Sequence, residues 1–143
     1  MVIIWPAEAD SGLNHLPNES IISYLTQGET HLNIVNAMTA ADSPNPHGII
    51  ARELLSTEHA QVTMAILQPG EAMKLHITPV DVFIYALEGE GVVEIGDERE
   101  TITRDMLVES PIRIPHRVLN ESDSVFRCLV VKTPRPTQST RIL

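Results

Sequence analysis

Residues 61–96 read QVTMAILQPGEAMKLHITPVDVFIYALEGEGVVEIG, and the fold class is decided there. Gln61 to Leu67 alternates, Val62, Met64 and Ile66 against Thr63, Ala65 and Leu67, which is the period of a strand. It stops at Pro69-Gly70, a turn pair. Val82 to Leu87 is apolar at every position, as a strand packed on both faces requires, and it ends at Glu88-Gly89-Glu90-Gly91. Close glycines permit a sharp corner at that point. Val92 to Ile95 is a further strand, closed by Gly96-Asp97. Leu107-Val108, Ile112 to Ile114, Arg117 to Leu119 and Val125 to Val131 follow, separated by Pro111, Pro115 and the polar run Asn120 to Ser124. Many short strands punctuated by turns predict an all-β antiparallel sandwich or barrel. Only Arg52 to Leu55 has an alternative reading, as a helical turn.

Upstream the text changes. Ile21 to Leu25 and Leu32 to Val35 flank Gln27-Gly28, the pattern of a hairpin. Ala41 to Gly48 then carries two prolines and a glycine in eight residues, so it is a loop or connector. The expected organisation is an N-terminal strand and hairpin extension over 1–48, a barrel over 49–133 and a C-terminal tail over 134–143.

A chain of 143 residues has room for one full core and little more. Its formal charge is −9, unevenly spread: residues 1–73 hold one basic and eight acidic side chains, residues 74–143 nine and eleven. No run of Lys or Arg marks a docking face, and a negative field repels phosphate backbones, so nucleic acid is not an expected partner. Nor is a membrane, since no 18 apolar residues run together. Met1 to Gly12 lacks the charged start and long apolar run of a secretory signal. Cys128 is the single cysteine, which forbids an internal disulfide and suits a reducing compartment. The expected location is cytoplasmic.

Gly70, five residues, His76, then Thr78, Val82 and Gly89 follow a recognisable spacing, and so do Asp105, Pro111, Arg113, His116 and Asn120. In these positions the chain resembles the cupin superfamily of small jelly-roll β-barrels. Their first motif reads Gly, five residues, His-x-His, three or four residues, Glu, six residues, Gly. The second reads Gly, five residues, Pro-x-Gly-x-x-His, three residues, Asn. Thr78 stands where the second histidine belongs, Val82 where the glutamate belongs, and Asp105 and Arg113 replace the two glycines of the second motif. The resemblance covers roughly residues 50–133 and implies a cupin-type jelly-roll barrel.

The resemblance also implies a site. Cupins that bind metal bring three His and one Glu together in the barrel mouth, a donor set for Fe, Mn, Ni or Zn. This chain keeps His76 and His116 as metal-ligand candidates, and two imidazoles with water hold a divalent ion weakly. Asp81 neighbours the lost glutamate, but alternation turns it to the other face. Cys128 could add a thiolate if its set, Phe126, Cys128, Val130 and Lys132, faces inward. Without a metal, His76 and His116 form a neutral pair bonded to each other or to Thr78. Alternation then gives a pocket lined by His76, Thr78, Val82, Ile84, Ala86, His116 and Val118, apolar with a few polar groups, as small-molecule sites are. Arg113 is the candidate to hold a carboxylate, because Pro115 can reset its direction, whereas Arg117 lies opposite His116. Among the other histidines, His15, His31, His47 and His59, only His47 lies on a connector able to fold over a barrel mouth.

Two functions follow. One is a small cupin binding a small molecule around His76 and His116, with or without a loosely held divalent metal. The other is a cupin enzyme (isomerase, epimerase, lyase or metal-dependent dioxygenase) using those imidazoles as ligands or general base. Tyr85, the partner a metal-free epimerase would need, faces away, and Tyr24 lies in the extension. Val2-Ile3-Ile4-Trp5 is an apolar edge strand that needs covering, and proteins resembling cupins commonly pair terminal strands. A two-fold homodimer through residues 1–5 or 21–35 is therefore expected. Removing residues 1–6 should move the gel-filtration volume toward the monomer or cause aggregation; an unchanged dimer would count against this interface.

Overall fold

The computed structural model describes residues 32–143. The expected strand at Val2 to Trp5, the hairpin arm Ile21 to Leu25, Tyr24, His15 and His31 lie outside them. The other arm, Leu32 to Val35, carries no strand. The chain divides into two compact units, Met1–Ile34 and Val35–Leu143, and the second holds all that follows.

Ten strands make up this unit: β1 Ile50–Ser56, β2 Gln61–Leu67, β3 His76–Ile77, β4 Asp81–Glu88, β5 Glu90–Ile95, β6 Glu98–Thr103, β7 Leu107–Ser110, β8 His116–Leu119, β9 Phe126–Thr133 and β10 Arg141–Ile142. Among the described residues there is no helix, hence none long and apolar enough to cross a membrane. The alternative reading of Arg52 to Leu55 as a helical turn is overturned. These residues lie in β1, where Arg52 pairs with Met64 and Glu53 with Thr63. Cross-strand pairing, a tertiary effect, decides a segment too short for its own periodicity to do so.

The strands form two antiparallel sheets, β1-β2-β9-β4-β7 and β10-β3-β8-β5-β6. From β3 onward the chain changes sheet at each connection except the β5–β6 hairpin, which gives the all-β jelly roll expected. The sheets are not hydrogen-bonded into one closed ring, so the barrel is a two-sheet sandwich. Residues 134–143 are more than a tail, since β10 pairs with β3 at the edge of the second sheet.

The core lies between the sheets. Ala65, Leu67, Val82, Ile84, Ala86, Phe126 and Cys128 come from one, Val93, Ile102 and Val118 from the other, with Met73 between strands. Alternation therefore holds along β4, with Phe83 and Tyr85 on the outer face. It also fixes the direction of β9, because Phe126 and Cys128 are fully buried. The connector folds back over β1: the Arg52 guanidinium donates to the Ala37 carbonyl at 3.2 Å and to Asp42 Oδ1 at 2.9 Å. Asn120 of the second motif is a buried corner post. Its amide donates to the Leu67 and Ser124 carbonyls at 2.9 and 2.7 Å, tying the β8–β9 turn to the end of β2.

At the β4–β5 corner, Gly89 has a φ of +77°, and a side chain there would collide with the Val125 carbonyl. Gly91 sits against Phe126, so that a methyl group would fall within 2.6 Å of the ring. The ring is fully buried and has nowhere to retreat. Gly91→Ala is therefore expected to lose about 1–3 kcal/mol by overpacking, read as a lower urea midpoint at unchanged slope. An unaltered midpoint would show that the ring yields freely.

Candidate functional site

β3 and β8 meet through a single register pair, His76 opposite His116. Their rings stand edge to face with centroids 4.3 Å apart. His47 arrives from the connector and packs on His76 at 4.5 Å. It is held there because the Lys74 backbone N–H donates to His47 Nδ1 at 3.2 Å. Three imidazoles thus stand in a row, drawn from three separate stretches of chain.

The hydrogen bonds fix the protons. His76 Nδ1 lies 2.7 Å from the Lys74 carbonyl, which only accepts, so that nitrogen carries the proton. His116 Nδ1 lies 3.1 Å from the Ile114 carbonyl and 2.9 Å from Ser110 Oγ, so it too is protonated. Its Nε2 then accepts from the buried Thr78 hydroxyl at 3.3 Å. His47 accepts at Nδ1 and so carries its proton on Nε2. Burial, reinforced by the neighbouring His76, pushes His47 and His116 down to about 4. Burial also lowers His76, against the opposing effect of its bond to Lys74. All three are neutral at pH 7.

Beside this row lies a cavity of about 210 Å³. Its polar lining includes His47, His76, Thr63, Gln61, Lys132 and the carboxylate Glu53, which accepts from the Gln61 amide at 2.6 Å, and its apolar lining includes Ile49, Ala51, Ala65, Met73 and Val130. Lys132 ends the inward set of β9, and burial lowers its pKa. No carboxylate lies within ion-pair distance of it among the described residues.

Of the residues expected in the site, His76, Thr78 and His116 are brought together. Val82 and Ile84 are sealed into the core and do not line the cavity. Arg113 is exposed and lines a different cavity, so it does not reach the imidazoles. Asp81 is engaged elsewhere, accepting from the Ile112 N–H at 2.8 Å. Tyr85 is turned outward, its hydroxyl donating to Asp105 Oδ1 at 2.9 Å. The main residue missed was Lys132. Its signal was present in Phe126, Cys128, Val130, Lys132, once the buried end of that set is known to point inward.

This donor set does not fit the Fe, Mn, Ni or Zn centre that the motifs suggested. Val82 offers no donor, and Thr78 occupies the one His116 nitrogen that a metal would use. Burial pushes the Cys128 thiol up to about 12, far from a thiolate. Among the described residues no three His, Cys, Asp or Glu side chains are grouped to hold an ion.

The family of the Cupin domain matches residues 63–132. A protein of solved structure, TT1209 from Thermus thermophilus, is 35% identical, with a TM-score of 0.65 over 73% of this chain and 100% of its own. The uncharacterized protein MJ0764 of Methanocaldococcus jannaschii is 26% identical over 88 residues, 61% of this chain and 76% of that protein. The polyketide cyclase RemF from Streptomyces resistomycificus superposes with a TM-score of 0.69 over 79% of this chain and 86% of its own, at 18% identity. This chain belongs to the cupin superfamily.

Neutral burial of His116 has a measurable consequence. Its pKa is about 4 when folded against 6.5 for the free side chain, so the unfolded state binds more protons between those values. Its contribution is complete above pH 6.5 and lost as pH falls toward 4, at most on the order of 3 kcal/mol. Urea midpoints should fall through that window while the ring protons of His116, followed by NMR, titrate near 4. A ring titrating near 6.5 would overturn the assignment.

Proposed function

We propose that this cupin is a binding protein for a small, largely apolar organic acid, taken up without a metal ion in the cavity bounded by His47, His76 and Lys132. The observation that carries the reading is Lys132, an ammonium facing a mostly apolar cavity and ion-paired with none of the described carboxylates, the Glu53 carboxylate in the same lining being engaged by the Gln61 amide at 2.6 Å. A desolvated charge without a partner is unfavourable, and an anionic head group offsets this on binding. The neutral imidazoles add a hydrogen-bond donor at His47 Nε2 and an acceptor at His76 Nε2. At about 210 Å³ the cavity is smaller than the roughly 300–1,000 Å³ usual for drug-sized ligands, so the acid is small.

The enzyme reading has one observation in its favour. His76 Nε2 accepts no hydrogen bond among the described residues and is unprotonated at pH 7, as a general base must be. The polyketide cyclase RemF shares the fold, and a likeness at 18% identity lends its chemistry no support here. The tyrosine that a metal-free epimerase would pair with its histidine is not in place, since Tyr85 points outward. The dioxygenase version lacks metal donors. Binding without turnover is the better-supported function.

Benzoate and benzamide, alike in shape and different in charge, test this on isotope-labelled protein. Benzoate should shift the resonances of Thr63, His76 and Val130 saturably, with an affinity about ten-fold or more above that of benzamide. Lys132→Met should remove that preference. No response to either compound would reject the cavity as a binding site. Metal content after metal-replete purification should lie far below one equivalent; a full equivalent lost in His76→Ala and His116→Ala would favour the metalloenzyme.

A further inference from the structure

The chain has eight arginines. Five of them, Arg52, Arg99, Arg104, Arg117 and Arg127, have a carboxylate within 4.0 Å. The other three, Arg113, Arg135 and Arg141, have none among the described residues, and all three line one cavity of about 590 Å³. The fold assembles this group from separate segments, which is why the sequence displays no basic cluster. Arg141 pairs with Ile77 on one side of β3, while the Arg113 N–H donates to the Thr78 carbonyl at 3.1 Å, just past the end of that strand. Arg135 lies in the link from β9 to β10. Thr137, Gln138 and Ser139 add hydroxyl and amide groups, and no Asp or Glu lines the cavity.

Arg113 supplies a second, independent observation. It has a φ of +64° at the position where the cupin motif carries glycine. Asp105, in place of the other motif glycine, has a φ of +70°. Aspartate tolerates the left-handed region, whereas arginine has no such excuse. A strained residue at a cavity wall is an indication that its side chain has a role there.

We propose that this cavity, separate from the imidazole site, binds the phosphate group of a phosphorylated small molecule or of an inorganic phosphate. Three guanidinium forks offer more donors than one carboxylate can accept, and a phosphate presents several oxygens and up to two charges. Thr137 and Ser139 complete its coordination by hydroxyl donation.

The test is inorganic diphosphate titrated into the isotope-labelled full chain at low salt, against acetate at matched ionic strength. Diphosphate should shift residues 77–80 and 135–141 saturably, and acetate should not. The double variant Arg135→Gln/Arg141→Gln should bind at least about ten-fold more weakly. Arg113→Gly relieves the left-handed strain, so its Tm should rise while its affinity for diphosphate falls. Arg104→Gln, which alters a guanidinium elsewhere, should bind as the wild type does. A linear, unsaturated response, an equal response to acetate, or undiminished affinity in the double variant would each overturn the site. Wild-type affinity in Arg113→Gly would overturn the part assigned to Arg113. An adjunct titration with glycerol phosphate, a phosphomonoester, separates the two sources: tighter binding of the ester points to a metabolite, tighter binding of diphosphate to the inorganic ion.

Discussion

The register pair His76 opposite His116 is the constraint from which the site's chemistry follows. Two imidazoles in one pair of a sheet interior cannot both be charged, since burial and their mutual repulsion act in the same direction. Each is therefore a neutral ring, and the chain provides partners nearby: the Lys74 carbonyl for His76 Nδ1, and the Ile114 carbonyl and the Ser110 and Thr78 hydroxyls for both nitrogens of His116. Once His116 is saturated in this way, it has no nitrogen to offer an ion. The loss of two motif ligands is thus compensated internally, by Thr78 bonding to the surviving histidine and by Val82 packing beside Ile84. Lys132 is left as the one cationic side chain at the cavity, and the proposed acid site rests on it.

The fold was legible because its signal is local and repeated. Alternation in Gln61 to Leu67, the apolar run of β4 and the glycine-rich corner each report on their own neighbours, and all agree. The second motif was legible in a different sense. Asn120 proved to be a structural corner, and the positions of the two replaced glycines kept their positive φ although Asp105 and Arg113 now occupy them. Backbone geometry outlasted the residue type that would have made it easy.

The site was legible only in part, and the residues show why. His76, Thr78 and His116 share motif spacings, so their meeting could be anticipated. His47 reaches His76 through a connector rich in proline, whose path no periodicity describes. Lys132 belongs to a strand with apolar residues on both faces, and its direction was set only by the complete burial of Phe126 and Cys128. Val82 and Ile84 followed the alternation that placed them inward, yet inward at their level of the sandwich means core. The cavity lies toward the end of the inner face where Gln61, Thr63 and Lys132 join Ala65 and Val130 in its lining. Alternation gives a side, and depth along the strand must come from the fold.

The segment between β9 and β10 runs between the two cavities of an acidic chain. Thr140 lines the cavity beside the imidazoles, while Thr137, Gln138 and Ser139 line the arginine cavity. A net charge of −9 repels anions at long range, but at physiological ionic strength that field is screened beyond about 8 Å. Inside that distance the local charges govern. At the arginine cavity these are guanidiniums that no carboxylate neutralises, and at the imidazole cavity a half-buried ammonium and the Glu53 carboxylate, which is bonded to Gln61. The exposed arginines work in high dielectric, so they need number and bidentate geometry to hold a phosphate. Lys132 lies in a drier place, where a single charge acts more strongly on a bound anion than it would in water. The same segment of chain thus stands between the two proposed anion sites, which differ in depth and hydration and so in the kind of acid each would take.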